Sequence, residues 1–452
     1  MYYTTNNWTI KVELDKLDMP CLPGRQAMLI KNFHELATTP ERKIVLKLVE
    51  AGLESVQPEE VFKKNIHRNH DTLTIVDRDF DLDDFDRVFI LGFGKGSAGN
   101  ARLLEKLIKD KLTEGYVIDT EEEPFSKIEF TKGTHPLPSE ENYKFTQKVI
   151  EKMSHMTFRD LVLVVICGGG SAMLVHPHSI SLAQKINVGK ALLKSGADIG
   201  EMNIVRKHLS DIKGGGLAKI LYPATIATLV FSDVPGNDLS TIASGPTVRD
   251  KTTIDDALHV IKKYKIEKEI DLTQGSFVEK PHENKYFEKV HNIIVLSNQT
   301  ALSAMLGEAK KLGLPAKIFS DRFQADAKQA GKKLISPAHP NSILLAAGET
   351  TVHVAKKAGQ GGRNQTLVLA SLEKVGKDVT ICSFGSDGFD NTEFAGAIGD
   401  YKTVEDASGL GLDIKKFLNS DNSFEFFQKT KDGIATGRLP SNVSDLMIVL
   451  RK

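Results

Sequence analysis

Short apolar runs rich in Val, Ile and Leu punctuate this chain, and longer amphipathic stretches separate them. The runs cover residues 87–91, 116–118, 161–166 and 225–231, then 293–296, 343–347, 379–383 and 446–450. Apolar runs of this length, spaced by helical stretches, predict parallel strands buried on both faces. Residues 26–67 predict helix. Ile44, Leu46, Leu48, Val49 and Leu53 share an apolar face there, and Glu59, Val61 and Phe62 continue into a second helix. Residues 1–25, broken by Pro20, Pro23 and Gly24, read as an extension ahead of the body. The polar stretch 266–289, with Gly275 and Pro281 and no clear periodicity, reads as a domain boundary.

The expected architecture is therefore α/β with two domains. Residues 26–285 form a larger Rossmann-like parallel-sheet domain and residues 286–452 a smaller α/β domain, with a cleft between them. A chain of 452 residues is long enough for this. Lys plus Arg and Asp plus Glu both number 59, so the formal charge is zero, and no basic stripe points to a nucleic acid. The acidic run 81–86 and the pairs Lys63-Lys64 and Lys356-Lys357 read as solvated surface. The three cysteines, Cys21, Cys167 and Cys382, are too few and too scattered for a disulfide framework or a zinc site. No apolar stretch is long enough to span a membrane. The first residues lack a signal-peptide pattern, so the cytoplasm is the expected location.

The chemistry concentrates where apolar runs end. In sheets of this type ligands collect at the carboxyl ends of strands, and glycine-rich turns sit there repeatedly. The first, Gly94-Lys95-Gly96 running on to Gly99, can present backbone N–H groups and a lysine to an anion. It also fits a dinucleotide fingerprint, with Asp119 at the expected spacing. The second is Gly168-Gly169-Gly170-Ser171. The third follows Arg206, Lys207 and His208 and reads Lys213-Gly214-Gly215-Gly216. After residues 225–231 comes Asp233, a candidate general base or Mg²⁺ ligand, with Asp238 as the second carboxylate. The second half adds Glu349, Gly361-Gly362-Arg363 and Asp387-Gly388. An arginine fork beside two glycines suits phosphate oxygens.

Taken in order, these motifs resemble the class II glycerate 2-kinases, whose C-terminal part is the MOFRL domain. The resemblance covers about residues 28–450. It is carried by Gly94-Lys95-Gly96, Thr134-His135-Pro136-Leu137-Pro138, Gly168 through Ala172, and Asn203 through Ser210. Lys213-Gly214-Gly215, Ser232-Asp233-Val234, Ala243 through Thr247, Gly348 through Val352, Gly361 through Gln365, Asp387-Gly388 and Asn442 through Leu446 complete it. The departures are Cys167 where the family often has Ser, a shorter segment after Asp390, and Arg438-Leu439-Pro440 in place of a small-residue turn.

The resemblance implies ATP- and Mg²⁺-dependent phosphorylation of D-glycerate to 2-phosphoglycerate, without nucleic-acid or membrane partners and with a homodimer as an option. Under it, Lys95 and Arg363 attend the transferring phosphoryl group and Asp233 orients the hydroxyl or holds Mg²⁺. Ser171, Arg206 and Asp238 bind glycerate. Gly168, Gly169, Gly170, Lys213, Gly214 and Gly215 bind the nucleotide. Glu349 and Asp387 join Asp233 as metal ligands. The main alternative is an NAD(P)H-dependent hydroxypyruvate reductase, which needs the first turn and Asp119 and leaves the other turns unexplained. A non-catalytic phosphometabolite sensor would need the anion turns without Lys95 and Asp233 together.

Overall fold

The structure, a computed structural model, describes residues 28–267, 269–352 and 359–452. The extension 1–25, Cys21 and the Lys356-Lys357 pair lie outside the described residues. Contacts divide the chain into two units. One comprises Val56–Ser297 with Pro440–Val443, and the other comprises Met1–Ser55 with Asn298–Leu439 and Ser444–Lys452.

The chain enters through α1 (Phe33–Leu36) and α2 (Pro40–Ser55) of the second unit. The first unit then opens with α3 (Pro58–Asn65) and a three-stranded antiparallel sheet of β1 (Ile66–Asn69), β2 (Thr72–Ile75) and β3 (Arg78–Asp81). The end of the expected helix, at residues 66–67, is thus strand. Six strands follow: β4 (Arg87–Phe93), β5 (Leu112–Asp119), β6 (Ile128–Lys132), β7 (Asp160–Ile166), β8 (Thr225–Phe231) and β9 (Val290–Leu296). All pair in parallel, in the order β6-β5-β4-β7-β8-β9. Every residue of β7 is buried, as expected for a strand covered on both faces. The chain order reverses between β4 and β7, and such a switch point opens a crevice at the strands' carboxyl ends.

The connecting helices are α4 (Ser97–Ile108), α5 (Glu140–Met153), α6 (Gly170–Met173), α7 (Leu182–Ser195), α8 (Ile199–His208), α9 (Gly216–Leu221) and α10 (Ile254–Lys263). Phe89, Leu91 and Phe93 of β4 share a core with Phe145 and Val149 of α5 and Leu217 and Leu221 of α9. Each such buried side chain contributes about 1.5–3 kcal/mol relative to exposure. α7, α8 and α10 build a separate small core from Val188, Leu192, Val205, Leu209, Val260 and Ile261. Ile266, Ile270 and Phe277 also enter that core. The stretch 266–289 therefore folds into this unit instead of separating domains. β9, which starts after the expected 285/286 boundary, completes the first sheet.

The second unit continues with α11 (Asn298–Lys311), β10 (Ala316–Phe323), α12 (Ala327–Ile335), β11 (Ser342–Gly348), α13 (Arg363–Ser371) and β12 (Val379–Gly385). It ends with β13 (Gly396–Gly399), β14 (Gly433–Ile434) and β15 (Asp445–Arg451). The strand order is β10-β11-β15-β12-β13-β14. β10 and β11 are parallel, but β15 runs antiparallel to both β11 and β12. The all-parallel expectation fails here because a strand buried on both faces reads as an apolar run whichever way it points. α2 belongs with this sheet. Its Arg42, 2% exposed, is held by Asp400 through Nε and Nη2 (2.7 and 2.8 Å) and by Asp432 through Nη1 (2.6 Å). A buried guanidinium needs such partners, and they come from residues 345 and more positions further along the chain than α2 itself.

Candidate active site

In the parallel-sheet unit, the turns after β4 and β7 are locked together. Lys95 donates its backbone N–H to the Gly168 carbonyl (2.8 Å), and Cys167 donates to Phe93 (3.1 Å). Gly94 has φ 112°, and a Cβ there would lie 2.3 Å from the Cys167 carbonyl oxygen. Its glycine is therefore required both by conformation and by close approach. At Gly168 a Cβ would lie 2.2 Å from Asp233 Oδ2, so the carboxylate at the end of β8 rests directly on this backbone. Gly169, at φ 78°, is covered by the His135 ring in the same way, 2.7 Å from the would-be Cβ. Lys95 projects from its turn, exposed, and enters no ion pair among the described residues. Burial, then the Lys95 charge, hold the His135 imidazole below its ordinary pKa. The Cys167 thiol, against Asn100 (3.5 Å), is raised by burial, which disfavours its thiolate.

Beside Gly169 lies a cavity of about 390 Å³. Ser171, Lys185, Arg206 and Lys213 reach it, and the Pro136-Leu137-Pro138 turn and one face of α7 supply an apolar wall. The Ser171 hydroxyl pairs with that of Ser244 (2.9 Å). Lys213, 2% exposed, donates its ammonium to the Ser171 carbonyl (3.0 Å). Neither Lys185 nor Arg206 has a carboxylate partner among the described residues. Burial, with Arg206 nearby, lowers the Lys185 ammonium to about 8. Burial also lowers Arg206. Lys213 is driven far down by burial and then by Lys185, Arg206 and Lys280. Cations that repel one another in a half-dry pocket are strained without an anion.

Several expected ligand groups are otherwise engaged. The N–H groups of Gly214 and Gly215 already donate to the carbonyls of Ser244 (3.0 Å) and Gly245 (2.8 Å). That turn anchors α9 and offers no cradle for a nucleotide. Asp238 is closed on its own turn by Ser240 and by the Thr241 hydroxyl (3.0 Å). It is exposed and does not line the cavity. Lys207 pairs with buried Asp250 (3.2 Å), and His208 bonds Val278 and Thr252. The Arg206-Lys207-His208 run thus divides, with Arg206 alone facing the cavity. Asp119 is fully buried and accepts from the backbone of Ala98 (2.9 Å) and Thr120 (2.6 Å). Burial raises its pKa against those bonds and another from Gly96. The acid that a dinucleotide site would spend on a ribose is used to hold the first turn, and so are the N–H groups a pyrophosphate would need.

In the mixed-sheet unit, Arg363 opens α13 and lines a cavity of about 390 Å³ with Thr350, Thr351 and Gly361. Gly362 is needed here for proximity, since a Cβ would strike the Asp390 carboxyl at 2.1 Å. Asp390 accepts from the N–H groups of Asn364 (3.1 Å) and Gln365 (2.8 Å) and so secures the helix start. The Arg363 guanidinium is gripped by Asp445 (2.6 Å from Nε, 3.1 Å from Nη2) and by Glu349 (2.6 Å from Nη1). Burial pushes the Asp445 carboxyl up, to about 7, against the pull of Arg363. Glu349 is therefore an ion-pair partner and not a free metal ligand. Asp387 accepts from the Phe389 N–H (3.2 Å) within its turn. Among the described residues no group of three His, Cys, Asp or Glu is arranged to hold a metal, and of the expected metal ligands Asp233 belongs to one unit and Glu349 and Asp387 to the other. Arg438, from the unusual turn, stacks 3.9 Å over Phe389.

A family model described as a domain of unknown function (DUF4147) matches residues 44–274, and the MOFRL family model matches residues 342–445. The D-glycerate 2-kinase of Thermotoga maritima is 33% identical over 90% of this chain and 98% of that protein. The chain belongs to the glycerate kinase family. A crystal structure of a glycerate kinase from Thermotoga maritima superposes with a TM-score of 0.80 at 31% identity, covering 91% of this chain and 99% of that one. A protein of Agrobacterium vitis named putative hydroxypyruvate reductase is 34% identical over 80% of this chain and 99% of its own length. In this chain Asp119 already accepts from the backbone of the first turn, so the geometry of that turn gives the reductase name no support.

Of the expected residues, the fold brings Lys95, Gly168, Gly169, Ser171, Arg206, Lys213 and Asp233 around one pair of turns. Gly170 packs on Phe93 and Ala243 behind them. Two residues without an expected role line the same cavity. His135 sits in the Thr-His-Pro-Leu-Pro motif, which was a signal without an assigned role. Lys185 lies mid-helix in α7 with no motif around it.

Proposed function

We propose that this chain transfers the γ-phosphate of ATP to D-glycerate, forming 2-phosphoglycerate. The observation that carries the reading is the cluster of Lys185, Arg206 and Lys213, without a carboxylate partner among the described residues, in the cavity beside Gly169, with Asp233 from the end of β8 resting on the neighbouring Gly168 backbone. Phosphoryl transfer asks for alignment and charge neutralisation, with little covalent chemistry. Lys95, exposed at the neighbouring turn and without an ion pair among the described residues, supplies positive charge to the phosphoryl group in flight. Asp233 orients the attacking hydroxyl and accepts its proton. Mg²⁺ commonly takes one or two carboxylates and completes its shell with substrate phosphates. Asp233, packed on the Gly168 backbone, is the residue that would hold it, and the ion would neutralise phosphate charge there.

In the mixed-sheet unit we assign Arg363 as a phosphate-binding cation. Asp445 aims the guanidinium, and Glu349, 49% exposed, is the partner a phosphate oxygen can displace. Cys167 and Cys382 are free and buried, consistent with a reducing cytoplasm. The test is a coupled assay of ADP release with D-glycerate, with the product's phosphorus position read by NMR. Release of ADP with phosphate on O2 is expected. NADH oxidation with hydroxypyruvate and no ADP release would overturn the assignment.

A further inference from the structure

The cavity beside Gly169 is larger than a three-carbon acid needs. At about 390 Å³ it falls in the range of roughly 300–1,000 Å³ that suits drug-sized ligands. Lys185, Arg206 and Lys213 converge beside Ser171, His135 and Lys190 also line it, and the rest of the lining is mainly apolar. The charge balance points the same way. One carboxylate would meet only part of a cluster of three basic groups, whereas a polyphosphate tail would meet all of them and favour their charged forms. The apolar wall joins Leu137 to Val188 and Leu193 of α7, and Leu193 is 72% exposed. An apolar side chain so exposed on a cavity rim suits a flat aromatic base.

We infer that this cavity is the nucleotide seat, with the phosphates on Lys185, Arg206 and Lys213 and the base against Leu137, Val188 and Leu193. The inference rests on the kinase reading and sharpens it. Arg206 moves from the glycerate carboxylate to the nucleotide, and Lys185, which no motif marks, becomes a phosphate ligand. Glycerate is then left to the Lys95 and Asp233 side of the Gly168 turn.

The test measures ADP binding by calorimetry, without glycerate or turnover, in the full chain and in the variants Lys185→Ala and Leu193→Glu. Lys185 makes no side-chain hydrogen bond or ion pair among the described residues and Leu193 is exposed, so both variants keep the fold. Each is expected to weaken ADP at least tenfold. In steady-state assays the KM for ATP rises by a similar factor, and the KM for D-glycerate stays within twofold. Unchanged ADP affinity in both variants, or a rise confined to the glycerate KM, would overturn the inference while leaving the kinase reading intact. Conversely, a wild-type chain that binds ADP through these residues and phosphorylates no glycerate would sink the kinase reading and keep the nucleotide seat.

Discussion

The two units each present a glycine-rich turn with a cation, and they treat that cation in opposite ways. In the parallel-sheet unit Lys185, Arg206 and Lys213 crowd together with no carboxylate partner among the described residues. In the mixed-sheet unit Arg363 is gripped on two edges by Asp445 and Glu349. The first arrangement stores electrostatic strain that an anion relieves. The second spends its charge on holding one side chain in a fixed pose, because a bidentate carboxylate sets the plane of a guanidinium. A cation that must capture a polyanion is best left uncompensated. A cation that must act at one position is best aimed.

Removing the aim should have the largest effect. Asp445 is 2% exposed, and it also accepts from the Asn364 side chain (3.0 Å). Asp445→Ala leaves a half-buried guanidinium without its main partner, and breaking such a pair commonly costs about 3–5 kcal/mol. Denaturant unfolding of the variant reads this directly. A loss below about 1 kcal/mol would mean that Glu349 alone can hold Arg363. Next in size is Lys95→Ala. Removing one well-placed charge-stabilising donor costs about 10²–10³ in kcat. Lys95 makes no ion pair among the described residues, so circular dichroism and melting temperature should not change. Near-normal kcat would take Lys95 out of the chemistry. Glu349→Gln comes third. An exposed partner is worth about 0–1 kcal/mol, so stability should move by no more than that, and any rise in phosphate affinity would mark Glu349 as the exchangeable partner.

These contrasts explain what could be read along the chain and what could not. Strand ends followed by glycines were legible, because burial on both faces imposes apolar runs and close backbone approach imposes glycine. The turns that hold Lys95, Gly168, Gly169, Ser171 and Asp233 do follow buried strands, as that pattern implies. The direction of β15 was not legible, since its apolar run is the same in either sense. Neighbouring cations on α8 could not be told apart either. Successive helical residues differ by about 100° in direction, so Arg206 meets the cavity while Lys207 meets Asp250, a residue far along the chain. Gly214 and Gly215 looked like Gly168 and Gly169, but their N–H groups are spent on the Ser244 and Gly245 carbonyls. Whether a glycine turn cradles a ligand depends on where its backbone donors go, and tertiary partners decide that.

The smallest effect is also the most direct reading of strain in the cation cluster. Lys185 titrates near 8 in the folded chain, lowered by burial and by Arg206, against about 10.4 in an unfolded one. Between those values the unfolded chain binds a proton that the folded chain does not. Stability must therefore rise with pH across that window and level off below about 8, where both states are charged. Lys280, also lowered to about 8 by burial, contributes in the same sense, as does Lys213. Lys185→Met removes one proton's share of this slope. It also relieves repulsion toward Arg206 and Lys213, so near neutral pH the variant should be more stable than wild type by about 0.5–1 kcal/mol, as is common where a binding site carries strain. The same variant should bind ADP worse. Urea unfolding at pH 7 and pH 9.5, with and without ADP, separates the two effects. A variant less stable than wild type at pH 7 would mean that Lys185 already has a favourable partner in the free chain, and the contrast with Arg363 would disappear.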